Sequence, residues 1–366
     1  MIHWVVLIAG AIHCATFLYI LHRFQGLKKT ADVSHQHTFS VIVPVRNEES
    51  TIYTLVTQIL GQDYPKDKFE VIVVDDSSED TTLNQLKQIL SNQNIKLLHL
   101  PDPIVGKKRA IEMGVSEAKH DWIVTTDGDC EVPTTWLNSF NRVIDESTQL
   151  VVGPVKMKPT NWLGRLQSFD FSILIGYAAS LVSMGVPSMS NGANLCYRKE
   201  TFRSVGGYSG NTQVPSGDDE FLLLKVVKQH PQSIRFNYHS EAVVSTLAKP
   251  DFRSLLNQRK RWLSKWTLHK NPRIVLSVLL TLLDNLIMIL GWVGIFLGLF
   301  PIWVFGVFVV RWMVKGYFSS RVNQLLDGET YWFFALLYEL LYPFYVVLLS
   351  FASIFGNYTW KGRKYR

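Results

Sequence analysis

An apolar run, Trp122-Ile-Val-Thr-Thr, ends in Asp127-Gly128-Asp129, two carboxylates one residue apart with a glycine between them that lets a turn tighten. Such a pair suits Mg2+ or Mn2+, which take one or two carboxylates and complete their shell with the oxygens of a bound diphosphate. Taken alone, the pair has two other readings. One is an acidic turn at a strand end; the other is an aspartate nucleophile of the DxDx[TV] kind, although Glu131 stands where that pattern needs Thr or Val. The arrangement recurs elsewhere in the chain. Val71-Ile-Val-Val runs into Asp75 and Asp76, and Val41-Ile-Val-Pro44 runs into Arg46, Asn47 and Glu48, polar groups suited to a base and a ribose. Asp75 and Asp76 also fit a response-regulator-like acidic pocket, a reading that leaves the other motifs unused.

These groups act together only if the runs that carry them are neighbouring strands. Short β-rich runs at residues 40–44, 69–74, 95–99 and 122–126 alternate with helical stretches at 50–60, 82–91, 107–118 and 134–144, with Asp80 placed to help cap the second helix. This is the pattern of an α/β domain with a mainly parallel sheet. Open sheets of that kind bind ligands outside the carboxyl ends of their strands, where each polar cluster falls.

In this order the motifs resemble glycosyltransferase family 2, and within it the membrane synthases of cellulose, hyaluronan and chitin and ceramide glucosyltransferase. The resemblance covers roughly residues 38–268. Its opening motif is Val41-Ile-Val-Pro44-Val-Arg46-Asn47-Glu48-Glu49, and its first aspartate motif is Val74-Asp75-Asp76-Ser77. Gly106-Lys107-Lys108-Arg109-Ala110 resembles the segment whose lysine lies near the nucleotide, and Asp127-Gly128-Asp129 is the DxD. Downstream, the run from Ser190 to Arg198 with Gly206-Gly207-Tyr208 resembles the acceptor-side segment, and Gly217-Asp218-Asp219-Glu220 the motif whose last aspartate is the catalytic base. Gln258-Arg259-Lys260-Arg261-Trp262 fits QxxRW.

The resemblance implies a Rossmann-like GT-A fold and an inverting transfer from a nucleotide-sugar, most often a UDP-sugar. It implies Asp219 as general base and Asp127 and Asp129 as ligands of Mg2+ or Mn2+. Donor binding is expected at Pro44, Arg46, Asn47, Glu48, Asp75, Asp76, Lys107, Asp127 and Arg261, and acceptor binding at Asp218, Gln258 and Trp262. Each position has a plainer alternative. Asp218 and Asp219 are also an acidic pair favoured by a helix N-terminus, and Trp262 is also an interfacial anchor.

The remaining sequence points to a membrane. Of 366 residues only 18% are charged and 47% are hydrophobic. Residues 4–21 are nearly uncharged and long enough to cross a bilayer. No Lys or Arg precedes them, whereas Arg23, Lys28 and Lys29 follow, which favours an uncleaved anchor with a cytosolic C-terminal side over a signal peptide. The net charge of +7 clusters beside apolar segments, matching anionic headgroups better than nucleic acid. Cys14, Cys130 and Cys196 have no disulfide-framework or zinc spacing.

From 250 to about 268, Phe252, Leu255, Leu256, Trp262, Leu263 and Trp266 fall on one helical arc, with Arg259 intruding and expected to snorkel. This suits an interfacial helix; an ordinary domain-surface helix is the alternative. Residues 274–310 suit two spans joined near Gly291 to Gly294 or at Pro301. Arg311, Lys315 and Arg321 suit a cytosolic return, and 331–355 a third span. Three spans place the basic C-terminal tail outside, a conflict that a break or re-entrant turn at Pro343, or a tolerated tail, would resolve. Asp284 and Glu339 lie within apolar stretches, where ionisable groups are either functional or paired inside the bundle.

The expected organisation is an anchor (1–23), a GT-A domain (38–250), an interfacial helix with QxxRW (251–270) and a C-terminal membrane region of two or three spans (274–356). The enzyme so described sits in the cell (inner) membrane with its catalytic domain cytosolic. It transfers sugar to a membrane lipid or a short lipid-associated glycan. A processive synthase and a non-catalytic nucleotide-sugar-binding scaffold are the competing functions.

Overall fold

The chain opens in α1 (Ile2–Gln25), an apolar helix without an acidic first turn. Strands and helices then alternate as β1 (Phe39–Val45), α2 (Ile52–Leu60), β2 (Phe69–Asp75), α3 (Thr82–Lys87), β3 (Ile95–His99), α4 (Lys107–Glu117) and β4 (Trp122–Thr125). Every residue of β1, β2 and β4 is buried, as expected of continuous apolar strands covered on both faces. β1 lies between β2 and β4 and runs parallel to both. Their carboxyl ends therefore open on one edge, at the point where the order β3-β2-β1-β4 reverses direction.

The chain continues through β5 (Cys130–Glu131), α5 (Trp136–Val143), β6 (Leu150–Val152), β7 (Val155–Lys158), α6 (Trp162–Ser183), β8 (Leu195–Arg198), α7 (Lys199–Ser204), α8 (Asp218–Gln229), β9 (Ile234–Phe236) and β10 (Val244–Leu247). β8 runs antiparallel to both β4 and β6 and extends the sheet to seven strands ending in β9. β5, β10 and β7 make a smaller sheet. The architecture is the α/β, mainly parallel one that the alternation predicts, and Asp80 accepts a hydrogen bond from the Thr82 amide at 2.9 Å at the start of α3.

The remaining elements are α9 (Phe252–Ser264), α10 (Pro272–Phe296), α11 (Val304–Leu326), α12 (Trp332–Phe355) and the hairpin of β11 (Tyr358–Trp360) and β12 (Arg363–Tyr365). This computed structural model describes residues 2–27, 36–89, 94–212, 214, 216–265, 272–355 and 358–365. Trp266 and the rest of the expected interfacial helix, to 270, lie outside the described residues. The chain divides into two compact units. One holds Gln25–Lys158 and Tyr177–Leu247; the other holds Met1–Phe24, Pro159–Gly176 and Ala248–Arg366. The segment 159–176, expected within the catalytic domain, therefore belongs to the helical unit.

Among the described residues, four helical segments are long and apolar enough to cross a membrane: His3–Gln25, Trp162–Ser183, Val275–Phe296 and Trp332–Phe351. The second was not anticipated, because Arg165 and Asp170 interrupt its apolar run. The junction in 274–310 is at Pro301. Gly291 and Gly294 lie inside α10, where a side chain at Gly294 would collide with Phe300. α12 runs through Pro343 without a break.

The helical unit also corrects the reading of Arg311 and Lys315 as markers of a polar return. Both are buried. Arg311 donates to both oxygens of Asp284 at 3.0 and 3.1 Å and to Glu339 at 2.6 Å. Lys315 donates to the other Glu339 oxygen at 2.5 Å, and His13 of α1 lies 3.0 Å from Asp284. Asp284 and Glu339 are thus paired inside the bundle, as groups withdrawn from water must be.

Candidate active site

The end of β1 is tied to the loop after β2. Arg46 is buried and donates to the carbonyl of Asp76 at 2.8 Å, to that of Ser77, and to the Glu79 carboxylate at 2.6 Å. Asn47, with φ of 53°, donates its backbone amide to the Ser78 hydroxyl at 3.1 Å, and its side-chain oxygen accepts from the Glu79 amide at 2.9 Å. The Glu48 amide donates to Thr82 at 2.7 Å. Of the expected donor-binding residues, Arg46 and Asn47 therefore serve first to shape the loop. A buried guanidinium needs acceptors, and the loop's carbonyls supply them.

The carboxylates of the second strand end are likewise engaged. Asp75 accepts from the Ser78 amide at 3.3 Å, and Asp76 accepts from the Gly106 amide at 2.9 Å, which fixes the start of α4. Pro44 is buried within β1, in register with Val74. Gly128 does not adopt a left-handed conformation. Its missing side chain instead admits Glu48: a Cβ there would stand 2.8 Å from Glu48 Cγ. The glycine of the DxD lies in a tight turn, closed by the Cys130 amide on the Asp127 carbonyl at 3.1 Å, and it also permits close approach of the first motif.

Lys107, the first residue of α4, joins the third strand end to α8. Its Nζ lies 2.7 Å from Asp127 Oδ1 and 2.8 Å from Asp218 Oδ2. Burial alone would lower the lysine's pKa, but the two carboxylates outweigh it and hold the ammonium above the ordinary lysine range. Burial would likewise raise Asp218, and Lys107 overrides it and keeps that carboxyl below its ordinary value.

Asp219 accepts from the Gly192 amide at 3.1 Å and from the Glu220 amide at 2.7 Å. Gly192 is held in turn by the Thr125 hydroxyl on its carbonyl at 3.1 Å, and a Cβ on it would stand 2.7 Å from Asp218 Oδ2 and 3.0 Å from Lys107 Nζ. The structure thus brings Lys107, Asp127, Asp218 and Asp219 together around Gly192. Gly192 was not singled out from sequence, although its place in Ser190-Asn191-Gly192-Ala193-Asn194 was a usable signal. Lys108, also passed over, is buried and ties α4 to the Asn211 carbonyl at 2.8 Å.

Gln258, Arg261 and Trp262 lie on α9 in the helical unit. Arg259 does not snorkel; it is buried and reaches Asp170 at 2.5 Å.

Among the described residues, no group of three or more His, Cys, Asp or Glu side chains is gathered as a protein cage for a metal. Asp127 and Asp129 are both partly exposed, and two such carboxylates fit a hard cation that takes its other ligands from phosphate oxygens.

Residues 40–205 match the model of glycosyl transferase family 2. Poly(ribitol-phosphate) beta-N-acetylglucosaminyltransferase TarS of Staphylococcus aureus is 34% identical over 130 residues, 36% of this chain and 22% of that one. Poly-beta-1,6-N-acetyl-D-glucosamine synthase of the same organism is 24% identical over 269 residues, 71% of this chain and 61% of that one. The chain spans less than two thirds of the length of either relative. Among solved structures, the mannosyltransferase PcManGT from Pyrobaculum calidifontis, in complex with GDP-Man and Mn2+, matches with a TM-score of 0.63 at 16% identity, covering 97% of this chain and 99% of that one. That likeness is one of fold. Sequence and fold agree that the chain carries a glycosyl transferase family 2 domain with the GT-A architecture.

Proposed function

We propose that this protein is a metal-dependent, inverting glycosyltransferase of the cell (inner) membrane. It moves a sugar from a UDP-sugar, with N-acetylglucosamine as the first donor to test, to a membrane lipid or short lipid-associated glycan on the cytosolic side. The observation that carries the reading is the joint engagement of Asp127 and Asp218 by Lys107, with Asp219 beside them on the Gly192 amide. It supports the reading of Asp127 and Asp129 as metal ligands with a neighbouring carboxylate as the base.

In this mechanism Asp127 and Asp129 would hold Mg2+ or Mn2+, and the bound cation would supply charge stabilisation for the departing nucleotide. The loop shaped by Arg46, Asn47 and Glu48, with Asp75 and Asp76, receives the uridine and ribose. Lys107 balances the diphosphate charge, a role that the family resemblance extends to Arg261. Asp219 accepts the proton of the acceptor hydroxyl, its lone pairs oriented by the Gly192 and Glu220 amides. Asp218 fixes Lys107, and Gln258 and Trp262 receive the acceptor, the indole as a stacking face.

The 269-residue alignment with a poly-beta-1,6-N-acetyl-D-glucosamine synthase favours a second reading, chain extension. One experiment separates the readings: incubate the purified membrane protein with radiolabelled UDP-sugars and membrane lipid extract, with and without Mn2+, and size the product. A single sugar on lipid supports the first reading and a ladder the second. No UDP release from any UDP-sugar, with the protein folded, rejects both and leaves a binding scaffold.

A further inference from the structure

The helical unit contains a chain of polar contacts that ends on an aromatic ring. Tyr338 of α12 donates its hydroxyl to Asp170 Oδ1 of α6 at 2.8 Å. The other oxygen of Asp170 accepts from Arg259 Nη2 at 2.5 Å, and the Arg259 guanidinium lies over the Trp262 ring, 4.6 Å from its centroid. Phe171, next to Asp170, has its ring centroid 6.2 Å from that of Trp262. Asp170 and Arg259 are buried, whereas Trp262 is partly exposed.

Arg259 and Trp262 are three residues apart on α9, so they share one face of the helix. Turning α9 by one residue, about 100°, would remove Arg259 from Asp170 and carry the indole elsewhere. The helix entrance is held separately by neutral bonds: Gln167 donates to the Lys249 carbonyl at 2.8 Å, accepts from the Lys249 amide at 3.0 Å, and Asn161 donates to the Pro250 carbonyl at 2.8 Å. These bonds fix where α9 begins but not its rotation. The ion pair fixes the rotation, and a planar guanidinium held by a carboxylate makes a rigid cover for one indole face.

We infer that Asp170 and Arg259 are positioning residues for Trp262: the Tyr338–Asp170–Arg259 relay sets the orientation of the indole and, with it, the surface the indole presents to a sugar acceptor. This rests on the reading of Trp262 as the acceptor's stacking surface. It adds that a residue of α6, outside QxxRW, governs that surface.

The test uses the full-length protein in detergent with 5-fluorotryptophan incorporated, the Trp262 19F resonance being assigned by its loss in Trp262→Phe. Asp170→Asn and Arg259→Met are expected to shift or broaden that resonance. They should raise the apparent KM for membrane lipid extract about tenfold, with kcat within about threefold and the KM for UDP-GlcNAc unchanged. Arg259→Lys, which keeps the charge, should recover part of both effects. Should a single variant fail to fold, Asp170→Leu/Arg259→Met removes both charges together and leaves neither buried alone; its Trp262 resonance is still expected to move. An unmoved Trp262 resonance in a folded variant overturns the proposal, as does an equal change in kcat and both KM values. A wild-type protein without lipid-dependent turnover rejects the functional reading instead, and the 19F result then decides the orientation alone.

Discussion

Two clusters of basic and acidic side chains, one in each unit, use similar residues for different ends. In the α/β unit Lys107 meets Asp127 and Asp218; in the helical unit Arg311 and Lys315 meet Asp284 and Glu339. The first stands at strand ends, where Asp127 keeps 35% of its side-chain exposure and two glycines let Glu48, Asp218 and Lys107 approach closely. The second is largely enclosed, with the Arg311 and Glu339 side chains 1% and 2% exposed, Asp284 at 20%, and two basic groups set against two acidic ones. A cluster that keeps a carboxylate open to solvent can accept a ligand. One whose charges are internally matched and mostly withdrawn from solvent acts to join helices. Changes in the first should therefore alter chemistry more than stability, and changes in the second the reverse.

The sharpest break of this contrast is Asp219→Asn. Removing the proposed base should lower turnover on the order of a hundredfold or more. Binding of UDP-GlcNAc, measured by titration calorimetry, and the unfolding midpoint should stay near wild type. Normal turnover would remove Asp219 from its role.

Next in size is Glu339→Gln, which leaves Arg311 and Lys315 sharing Asp284 alone in a buried site. A loss of about 3–5 kcal/mol is expected, the range for breaking one side of a buried pair. Chemical denaturation of the detergent-solubilised protein measures it, while the KM for UDP-GlcNAc should not move. Exchanging Lys315 and Glu339 together for leucine should restore much of the loss, since no unmatched charge then remains.

How far these clusters were legible in the sequence follows from the range of the signals. β1, β2 and β4 were readable because strands buried on both faces are unbroken apolar runs ending in polar residues, and Asp127 stood out by that position. The union of Asp127 with Asp218, across ninety-one positions of sequence, depends on Lys107, whose part came only through family resemblance. Arg311 and Lys315 misled for the opposite reason. The charge rule reads basic residues after an apolar run as facing water, and it is blind to carboxylates on other helices that arrive in folding. α6 escaped notice because Asp170 and Arg165 break its hydropathy, although Asp170 is neutralised by Arg259.

A smaller effect comes from two glycines, one in each unit. A side chain at Gly176 would meet Phe318 Cζ and Val322 Cγ2, each at 2.5 Å, while one at Gly128 would meet Glu48 Cγ at 2.8 Å. Each alanine substitution should destabilise by about 1–3 kcal/mol, as overpacking does. Only Gly128→Ala should also raise the KM for UDP-GlcNAc, because it displaces Glu48. Equal KM values for the two variants would show that the first motif does not touch the donor.

The smallest effect is a pH dependence confined to the catalytic cluster. Asp218 is held below its ordinary pKa because Lys107 outweighs the effect of burial, so its stabilising contribution is fully present above the unfolded value of about 3.9 and is lost as pH falls through the folded one. Lys107 is held above its ordinary value. Its contribution is present below about 10.4 and is lost only as pH rises through its folded value. Between these limits the pair contributes a constant amount. The acid limb of unfolding should therefore be shallower in Asp218→Asn than in wild type, while the slope between pH 6 and 9 should be the same in both. The difference is small because Asp127 stays bound to Lys107 in the variant and, being partly exposed, exchanges freely with water. An unchanged acid limb would show that Lys107 relies on Asp127 alone, and would move the centre of the cluster from α8 to the strand end.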